Sequence, residues 1–564
     1  MTEHKSDTRL ILEHVYAHEA AHPGQVFLTQ PIGDGEVLDI TWGEMLDESR
    51  RMASHLKSLN FAPGARIAML AKNSAHFIMA ELAIWMAGGT TVAIFPTESA
   101  DNVRYVLKHS EPSLLFVGRL DTWAEQQSAV PAGLPCIALP LSPAIELPRW
   151  NDLIAAQTPI AGRPVRRDDE IAMLLYTSGS TGQPKGVMQS FGSISGATQT
   201  ILDSFDRSEE PTAIVRALSY LPLAHAYERA CVECVALMRR GPTHLYFTDT
   251  LATFMHDIKR AQPTFFCSVP RLWAKFRQGV LAAMPAAQLD AMLDNPAVAP
   301  AVRKKVLASI GLDDCTQARS GSAPIPGELI HWYRRLGLNL LEGYGMTEDF
   351  CVSHRCTETE AEVGYVGVVY PGVQARIAED GEILVKSPGQ FAGYYKRPDL
   401  DADAFTEDGF FRTGDLGEYT ASGLLKVTGR KKELFKTAKG KFVAPAPIEN
   451  MLNTHPMVEL SMVSGVGQSA AYAMVVIEES LRPRLAEPEL RARVLGELTT
   501  LLHQVNEGLA KHERLQMLVV AREPWTIDNG CLTPTMKIKR SRIEAGVLAQ
   551  LDLWYGQPAP VLWQ

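Results

Sequence analysis

An apolar run that passes directly into a polar, glycine-rich segment constrains this sequence more than any other feature. Residues 173–176 predict a buried strand, and residues 177–186 contain three glycines, four serines or threonines, one lysine and no large apolar side chain. Accessible backbone amides, hydroxyls and a lysine together form a concave site for phosphate oxygens. A P-loop requires glycine directly before the lysine, whereas two residues separate Gly182 from Lys185. The sequence therefore predicts a phosphate loop of a different kind.

Length and composition predict a globular protein of more than one domain. The chain has 564 residues, too many for one hydrophobic core, with 46% apolar and 21% charged residues. A net charge of -9 gives no reason to expect a nucleic-acid partner. The polar N-terminus lacks the apolar core of a signal peptide. The longest apolar stretch, residues 77–95, contains Glu81 and two adjacent glycines, so it predicts a helix followed by a strand rather than a membrane span.

The cysteines predict packing rather than cross-linking. Eight cysteines in a chain of this length do not form a disulfide framework. Cys231 and Cys234 have redox or zinc spacing, and residues 351–356 could complete a metal site. However, the first pair lies in an apolar helical run, residues 230–238, where cysteines pack as small hydrophobic residues. We therefore expect a reducing compartment and a cytoplasmic location.

Strands and helices alternate along the N-terminal half. A helix over residues 10–21 precedes strands at 25–30 and 36–41, and from Arg66 onward the pattern becomes regular. The later predicted elements are strands 67–70, 91–95 and 114–117, with helices 75–87 and 102–108 between them. Alternation of this kind predicts a parallel sheet covered by helices.

Residues 176–186 resemble the phosphate-loop signature of the adenylate-forming superfamily, which includes acyl-CoA synthetases, peptide-synthetase adenylation domains and beetle luciferases. The resemblance implies ATP, Mg²⁺ and CoA as cofactors. It also implies that the ATP phosphates bind along the loop, which comprises Thr177, Ser178, Gly179, Ser180, Thr181, Gly182 and Lys185. We expect Lys185 to brace this loop rather than to take part in catalysis.

A histidine after a predicted strand extends the resemblance to the acid substrate. A lone histidine is usually structural, but His225 follows Pro222 at the mouth of a strand, where ligands of parallel sheets bind. The corresponding histidine of the superfamily borders the acid pocket. The sequence of residues 224–229, Ala-His-Ala-Tyr-Glu-Arg, is similar to that of long-chain acyl-CoA synthetases. Residues 263–273 resemble the same subgroup, and we interpret Arg271 there as mainly structural.

Adenosine elements follow in the order that the superfamily has them. Residues 320–324 form a small-residue turn that a flat base can approach closely. The resemblance implies that Tyr344 lies against adenine, Thr347 at the phosphates and Glu348 at the magnesium ion, for which a single carboxylate suffices beside substrate phosphates. The implied nucleotide-binding residues of these two segments are Gly321, Ser322, Ala323, Pro324, Glu342, Gly343, Tyr344, Gly345 and Met346.

The C-terminal third contains the remaining implied site residues. Asp415 matches the ribose-binding aspartate and Arg430 the ribose-binding arginine. Lys432 matches the pivot of a hinge and Gly440 the glycine that lets the thiol arm pass. Lys537 matches the lysine of adenylate formation, with Lys539 as the alternative. Many relatives have glycine before that lysine, whereas this chain has Met536, a variation shared with long-chain synthetases.

The resemblance implies an α/β fold with two domains. Residues 1–430 form a large adenylating domain of stacked mixed and parallel sheets with helices and a β-barrel-like part. Residues 431–564 form a small, mobile α+β domain. The implied catalytic residues are Lys537, Thr347, Glu348 and His225.

The favoured function is an AMP-forming ligase that activates a long-chain fatty acid and transfers it to CoA. Three alternatives remain open. The chain could be an aryl- or hydroxycinnamate-CoA ligase, a ligase that acylates a carrier protein, or a catalytically silent nucleotide-binding or scaffolding relative. The expected partners are small molecules, with no nucleic acid, and homodimers and transient membrane contact are both compatible with the resemblance.

Overall fold

A computed structural model describes residues 9–177, 183–205 and 213–564. Strand and helix alternate as expected, and the long helix predicted over residues 75–87 spans Ala75–Ala87. Ser74 caps its N-terminus, and Gly88, with φ of +91°, ends it in the left-handed conformation that glycine adopts without strain. The α-helices are Ile11–Ala21, Trp42–Ser58, Ala75–Ala87, Ala100–Ser110, Trp123–Gln126, Trp150–Ala155, Phe191–Asp203, Ala226–Glu228, Val235–Met238, Phe254–Ala261, Pro270–Ala283, Ala286–Leu293, Ala299–Ser309, Gly327–Arg335, Pro398–Ala404, Pro445–Leu452, Pro488–Glu507, Arg540–Val547 and Leu551–Tyr555.

A seven-stranded sheet forms the first layer. Five of its strands are mutually parallel, and at one edge two further strands each pair with their neighbour in the antiparallel sense. The parallel part agrees with the alternation of the sequence, because parallel strands require helical crossovers. In spatial order the strands are Gly393–Tyr394, Lys185–Ser190, Ile171–Thr177, Thr90–Ile94, Arg66–Leu70, Leu114–Val117 and Cys136–Ala138.

Two mixed sheets complete the parallel architecture. The five-stranded sheet has three parallel strands followed by two short antiparallel ones, in the order Phe265–Ser268, Gln317–Ser320, Leu340–Tyr344, His354–Arg355 and Val368–Val369. The four-stranded sheet has the order Glu36–Thr41, Val26–Gly33, Thr243–Phe247 and Val215–Ser219. Buried side chains of these layers form several clusters, the largest of which has members from Ile11 to Leu425.

An antiparallel sheet of four strands occupies the part of the chain before the C-terminal domain. Its strands, in spatial order, are Gln374–Ile377, Glu382–Lys386, Phe411–Tyr419 and Leu425–Arg430.

The chain after this sheet has its own hydrophobic cores, because two clusters of buried side chains contain only residues from 435 to 563. The four-stranded sheet of this part has the order Val458–Ser464, Ala471–Ile477, Leu515–Val520 and Val561–Trp563, and a separate hairpin pairs Phe435–Lys436 with Phe442–Val443.

A charged cluster lies inside the large hydrophobic core. Residues Arg229–Cys234 form a π-helical turn between two short α-helices. This turn buries Arg229 and Glu233 completely, and the guanidinium pairs with Glu233 at 3.0 Å and with Glu81 of the preceding long helix. Burial raises the pKa of Glu233, and the Arg229 guanidinium opposes that shift. A buried charged group of this kind is stable only while its partners are present.

The apolar stretch of the sequence is accounted for by this arrangement. Residues 77–95 divide between a fully buried helix and the strand Thr90–Ile94. Across the described ranges, no helix combines the length and the hydropathy that crossing a bilayer requires.

Candidate active site

The carboxyl ends of parallel strands bring several predicted residues to one edge. Strand Gln317–Ser320 leads into Gly321, and its parallel neighbour Leu340–Tyr344 leads into the turn that carries Thr347 and Glu348. Ligands of open α/β sheets bind outside such strand ends. The Gln189 side chain donates to the backbone oxygen of Thr347 at 2.8 Å and so attaches this turn to the seven-stranded sheet.

The phosphate-loop prediction falls mostly outside the described residues. Ser178, Gly179, Ser180, Thr181 and Gly182 are not described, whereas the residues on either side are. Thr177 ends one strand and Lys185 begins the next, and the two are paired in the antiparallel register.

The small-residue turn at 321–324 allows close approach from one side. A Cβ on Gly321 would lie 3.1 Å from the Tyr227 ring, so a side chain there would require that ring to shift by a few tenths of an ångström. Ser322 has a positive φ of 68°, and Ala323 and Pro324 are exposed. The turn therefore presents a small, open surface beside a buried aromatic residue.

Two buried carboxyls support the neighbouring turn. Glu342 accepts a hydrogen bond from the Ile325 amide at 3.2 Å, and Asp349 accepts one from the Met346 amide at 2.8 Å. Burial raises the pKa of both carboxyls to about 7.

The two glycines of this segment, Gly343 and Gly345, differ in how closely their neighbours approach. A Cβ on Gly345 would lie within 2.7 Å of the Cys351 backbone, so no side chain fits there. Gly343 is less constrained, because its nearest neighbour would be the His354 carbonyl oxygen at 3.6 Å.

Asp415 is the best-anchored residue of the site. It is 4% exposed, and its Oδ2 atom accepts a hydrogen bond from the Tyr344 hydroxyl at 2.8 Å. Its Oδ1 atom lies 3.0 Å from Nε of Arg430, its register partner on the adjacent antiparallel strand. The carboxylate of Asp415 is the main cause that raises the pKa of Arg430 above its usual value. Tyr344, Asp415 and Arg430, which are predicted to bind adenine and ribose, therefore form one connected group.

Glu348 has a neighbour that the sequence did not reveal. The Tyr394 hydroxyl donates to Oε1 of Glu348 at 2.8 Å, and Nζ of Lys185 lies 4.9 Å from the centroid of the Tyr394 ring. Burial lowers the pKa of Lys185, while the Glu348 carboxylate opposes that shift. In the sequence, Tyr394 is marked only by the aromatic pair that it forms with Tyr395 directly after Gly393.

Lys537 reaches the site from the C-terminal part of the chain. Its side chain is accessible to solvent, yet desolvation by the surrounding protein is the main cause that lowers its pKa to about 8. The Arg430 guanidinium lowers this pKa further and the Asp415 carboxylate opposes it. Lys539, the alternative, instead exerts its charge on the buried Glu98.

His225 faces the same lysine from the N-terminal side. Burial and then the Lys537 ammonium lower the pKa of His225 to about 3, so its ring is neutral. The backbone N–H of Tyr227 donates to Nδ1 of His225 at 3.1 Å, which leaves the ring proton on Nε2. The Phe95 ring lies 6.3 Å from the imidazole, edge to face. His225 therefore offers one N–H donor in a largely apolar setting.

The predicted hinge residues are exposed, and the charge of Lys432 contributes to the lowered pKa of Lys185. Lys432 is exposed just after the strand that ends at Arg430. Gly440 is exposed in the hairpin loop between Phe435–Lys436 and Phe442–Val443, where its φ of +76° favours glycine.

Comparison with protein families identifies the class. A family model of AMP-binding enzymes matches residues 15–395, and a model of the C-terminal domain of AMP-binding enzymes matches residues 433–556. The chain belongs to the AMP-binding enzyme family, as the motifs predicted.

Similar sequences refine the class to an AMP-forming acid–thiol ligase. A long-chain-fatty-acid–CoA ligase of Mycobacterium bovis is 30% identical over 96% of both chains. The long-chain-fatty-acid–CoA ligase 1 of Homo sapiens is 27% identical over 88% of this chain and 79% of its own length. The predicted enzyme class is thereby confirmed.

Solved structures confirm the fold. The A domain of carboxylic acid reductase from Segniliparus rugosus, in complex with AMP and a co-purified carboxylic acid, has a TM-score of 0.81 at 22% identity and covers 98% of this chain and 95% of its own. The O-succinylbenzoate CoA synthetase of Bacillus subtilis, in complex with AMP, has a TM-score of 0.71 at 21% identity, over 94% and 98%. The large N-terminal domain and the small C-terminal domain are both present.

Proposed function

We propose that this protein joins a long-chain fatty acid to CoA by way of an acyl-adenylate. The observation that carries the proposal is that Lys537, from the C-terminal part of the chain, is near enough to the Asp415–Arg430 ion pair for both charges to act on its pKa. The two fatty-acid–CoA ligases described above support the choice of acid and of acceptor.

The first step joins two anions and needs no general base. A carboxylic acid is ionised near neutral pH, so its carboxylate attacks the α-phosphorus of ATP and pyrophosphate leaves. The protein must align the reactants and disperse negative charge. Lys537 supplies a cation there, together with the amides and hydroxyls of residues 177–182. His225 borders the acid through its neutral N–H, and Lys185 braces the loop beside Tyr394.

The nucleotide is held through its adenosine and its phosphates. Tyr344 and the small turn of residues 321–324 bind adenine, and Asp415 with Arg430 binds the ribose hydroxyls. Thr347 contacts the phosphates.

Glu348 fits a magnesium site, because it is partly exposed and fixed by the Tyr394 hydroxyl, and Mg²⁺ prefers one or two carboxylates with substrate phosphates. When bound, the ion neutralises phosphate charge.

The second step needs a different arrangement of the two domains. A boundary between residues 430 and 431 assigns Lys537, Lys432 and Gly440 to the mobile domain. Rotation about Lys432 withdraws Lys537 and brings Gly440 to the adenylate, so that the CoA thiol attacks the acyl carbon and AMP leaves. Domain closure about a few terminal residues is a common mode of protein motion.

The eight free cysteines support a reducing, cytoplasmic location. An apolar substrate supports transient contact with membranes, and a homodimer is the oligomeric state we expect.

A panel of acids tests the proposal. Octanoate, palmitate, oleate, 4-coumarate and benzoate are each incubated with ATP and Mg²⁺, with and without CoA, while AMP and acyl-CoA are measured together. AMP and acyl-CoA formed with the long aliphatic acids support the proposal. Turnover confined to aromatic acids assigns the chain to the aryl-CoA ligases. Adenylate without transfer to CoA indicates a carrier-protein acceptor, and no turnover with any acid indicates a silent relative.

A further inference from the structure

Lys431, at the domain boundary itself, pairs with Asp380 and Glu382 of the large domain. A further ion pair joins the two domains at residues far from that boundary in sequence. Nη2 of Arg271 pairs with Oε1 of Glu459, and Nη2 of Arg482 pairs with Oε2 of the same carboxylate. The side chains are 31%, 15% and 25% exposed for Arg271, Glu459 and Arg482, so the cluster is partly shielded from solvent. Arg482 belongs to the small domain, like Glu459, whereas Arg271 belongs to the large one.

Nothing in the helix that carries Arg271 favours an arginine at this position. It is the second residue of helix Pro270–Ala283, and a positive charge in the first turn opposes the helix dipole. Among the residues that the structure describes, Arg271 forms its ion pair with Glu459 of the small domain. The helix follows strand Phe265–Ser268, which is parallel to and paired with the strand that leads into Gly321. Arg271 is therefore attached to the same sheet edge as the adenine-binding turn.

The backbone of Glu459 is also irregular in a way that directs its side chain. In strand Val458–Ser464, Val458 pairs with Ile477 and Leu460 with Val476, so the register shifts at Glu459. A β-bulge of this kind adds a residue to one strand and re-aims a side chain. The bulged residue here contacts the other domain.

We propose that Arg271 and Glu459 form an interdomain latch that positions Lys537 for adenylate formation. The latch holds the small domain in the arrangement in which Lys537 lies beside Asp415, and it opens when the domain rotates for the second step. Both residues are positioning residues, since neither touches the reacting atoms. The inference rests on the proposed two-step cycle for its kinetic consequence, but the contact itself can be tested without turnover.

A double-mutant cycle on the half-reactions tests the latch. Adenylate formation is measured by pyrophosphate release without CoA, and transfer is measured from synthetic palmitoyl-adenylate and CoA. Arg271→Gln and Glu459→Gln each lower adenylate formation about tenfold, and transfer is unchanged or faster. The double variant is no slower than the slower single variant, because between the domains Arg271 and Glu459 act through one contact. Additive losses, or equal losses in both half-reactions, overturn the proposal.

Arg335→Gln is the matched control, because Arg335 forms surface ion pairs with Asp290 and Asp294 in the large domain alone. This variant leaves both half-reactions unchanged. If Arg335→Gln slows adenylate formation as much as Arg271→Gln, loss of any surface arginine explains the effect and the latch is wrong.

Limited proteolysis supplies a readout that is independent of activity. Trypsin cleaves more readily between residues 430 and 441 when the domains separate, so both latch variants are cut faster there at an unchanged melting temperature. Equal cleavage rates for the wild type and both variants overturn the latch even if no acid is turned over. Conversely, an inactive protein whose variants are cut faster retains the latch and loses the proposed function.

Discussion

The hydroxyl of Tyr344 donates to the carboxylate of Asp415 at 2.8 Å, across 71 residues of sequence. This bond joins the parallel part of the fold to the antiparallel sheet and fixes the carboxylate before any nucleotide binds. We expect Tyr344→Phe to weaken ATP binding about tenfold, as measured by calorimetry, because the buried carboxylate loses one of its partners. Tyr419→Phe is the control, since that hydroxyl bonds to His354 at 2.7 Å instead. Equal ATP affinity in wild type and Tyr344→Phe would contradict the assignment.

Lys537→Ala separates the two half-reactions. Removal of one cation that stabilises the transferring phosphoryl group costs about 10²- to 10³-fold in adenylate formation. Transfer from synthetic acyl-adenylate to CoA survives, because it does not use this lysine. Lys539→Ala, two residues away, should leave pyrophosphate release nearly unchanged. If the effects of the two variants were reversed, Lys539 would be the adenylation lysine.

The lowered pKa of Lys537 predicts a limb in the pH profile. Lysine is active here as a cation, and its charged fraction falls as the pH rises through about 8. We therefore expect kcat/KM for ATP in the adenylation half-reaction to decline above about pH 8 with the slope of one proton. His225, with a pKa of about 3, contributes no change near neutrality. Lys537→Arg should flatten the alkaline limb, and an unaltered limb in that variant would exclude Lys537 as its source.

Met536 is the strained residue beside this lysine. Its φ is +62°, a left-handed conformation that glycine adopts freely and that β-branched residues strongly avoid. We expect Met536→Gly to retain adenylate formation and Met536→Val to reduce it about tenfold by displacing Lys537. Met536→Ala is the control for loss of the side chain alone. Equal rates for the alanine and valine variants would show that the backbone conformation is unimportant.

The hairpin that bears Gly440 presents a cationic surface, formed by Lys436, Lys439 and Lys441. All three side chains are exposed, and Phe442 beside them is 59% exposed. We expect their combined replacement by glutamate to raise KM for CoA about tenfold at low ionic strength, with adenylate formation unchanged. The effect should shrink in added salt, because exposed charges are screened.

The control for this hairpin is the same change at Lys304 and Lys305, which lie on helix Ala299–Ser309 of the large domain. An equal rise in KM for CoA in both variants would indicate a general charge effect and would exclude a role for the hairpin.

Much of the fold could be predicted because its signals are local. The strands at 67–70 and 114–117 and the helix at 75–87 follow from apolar runs and glycine turns, and the structure has them within one residue at either end. The apolar helix around Cys231 was also expected. Its π-helical turn was not, since an extra residue in one turn depends on how Arg229 is packed.

The site residues were predicted from sequence motifs, so residues that belong to no motif were not predicted. Tyr394 has no motif of its own, and it reaches Glu348 because a two-residue strand pairs with the strand that begins at Lys185. Arg271 looked structural because its partner, Glu459, is 188 residues away. Contacts between distant segments follow from tertiary packing, which no single stretch of sequence encodes.

The buried cluster of Glu81, Arg229 and Glu233 constrains how this chain can diverge. Loss of the arginine alone leaves two buried carboxyls without their cationic partner and lowers the free energy of unfolding by about 3 to 5 kcal/mol. Replacement of all three residues by apolar residues of similar volume is often neutral for stability. Single steps along that route pass through unstable intermediates. We therefore expect proteins that diverge from this sequence either to keep all three residues or to replace all three.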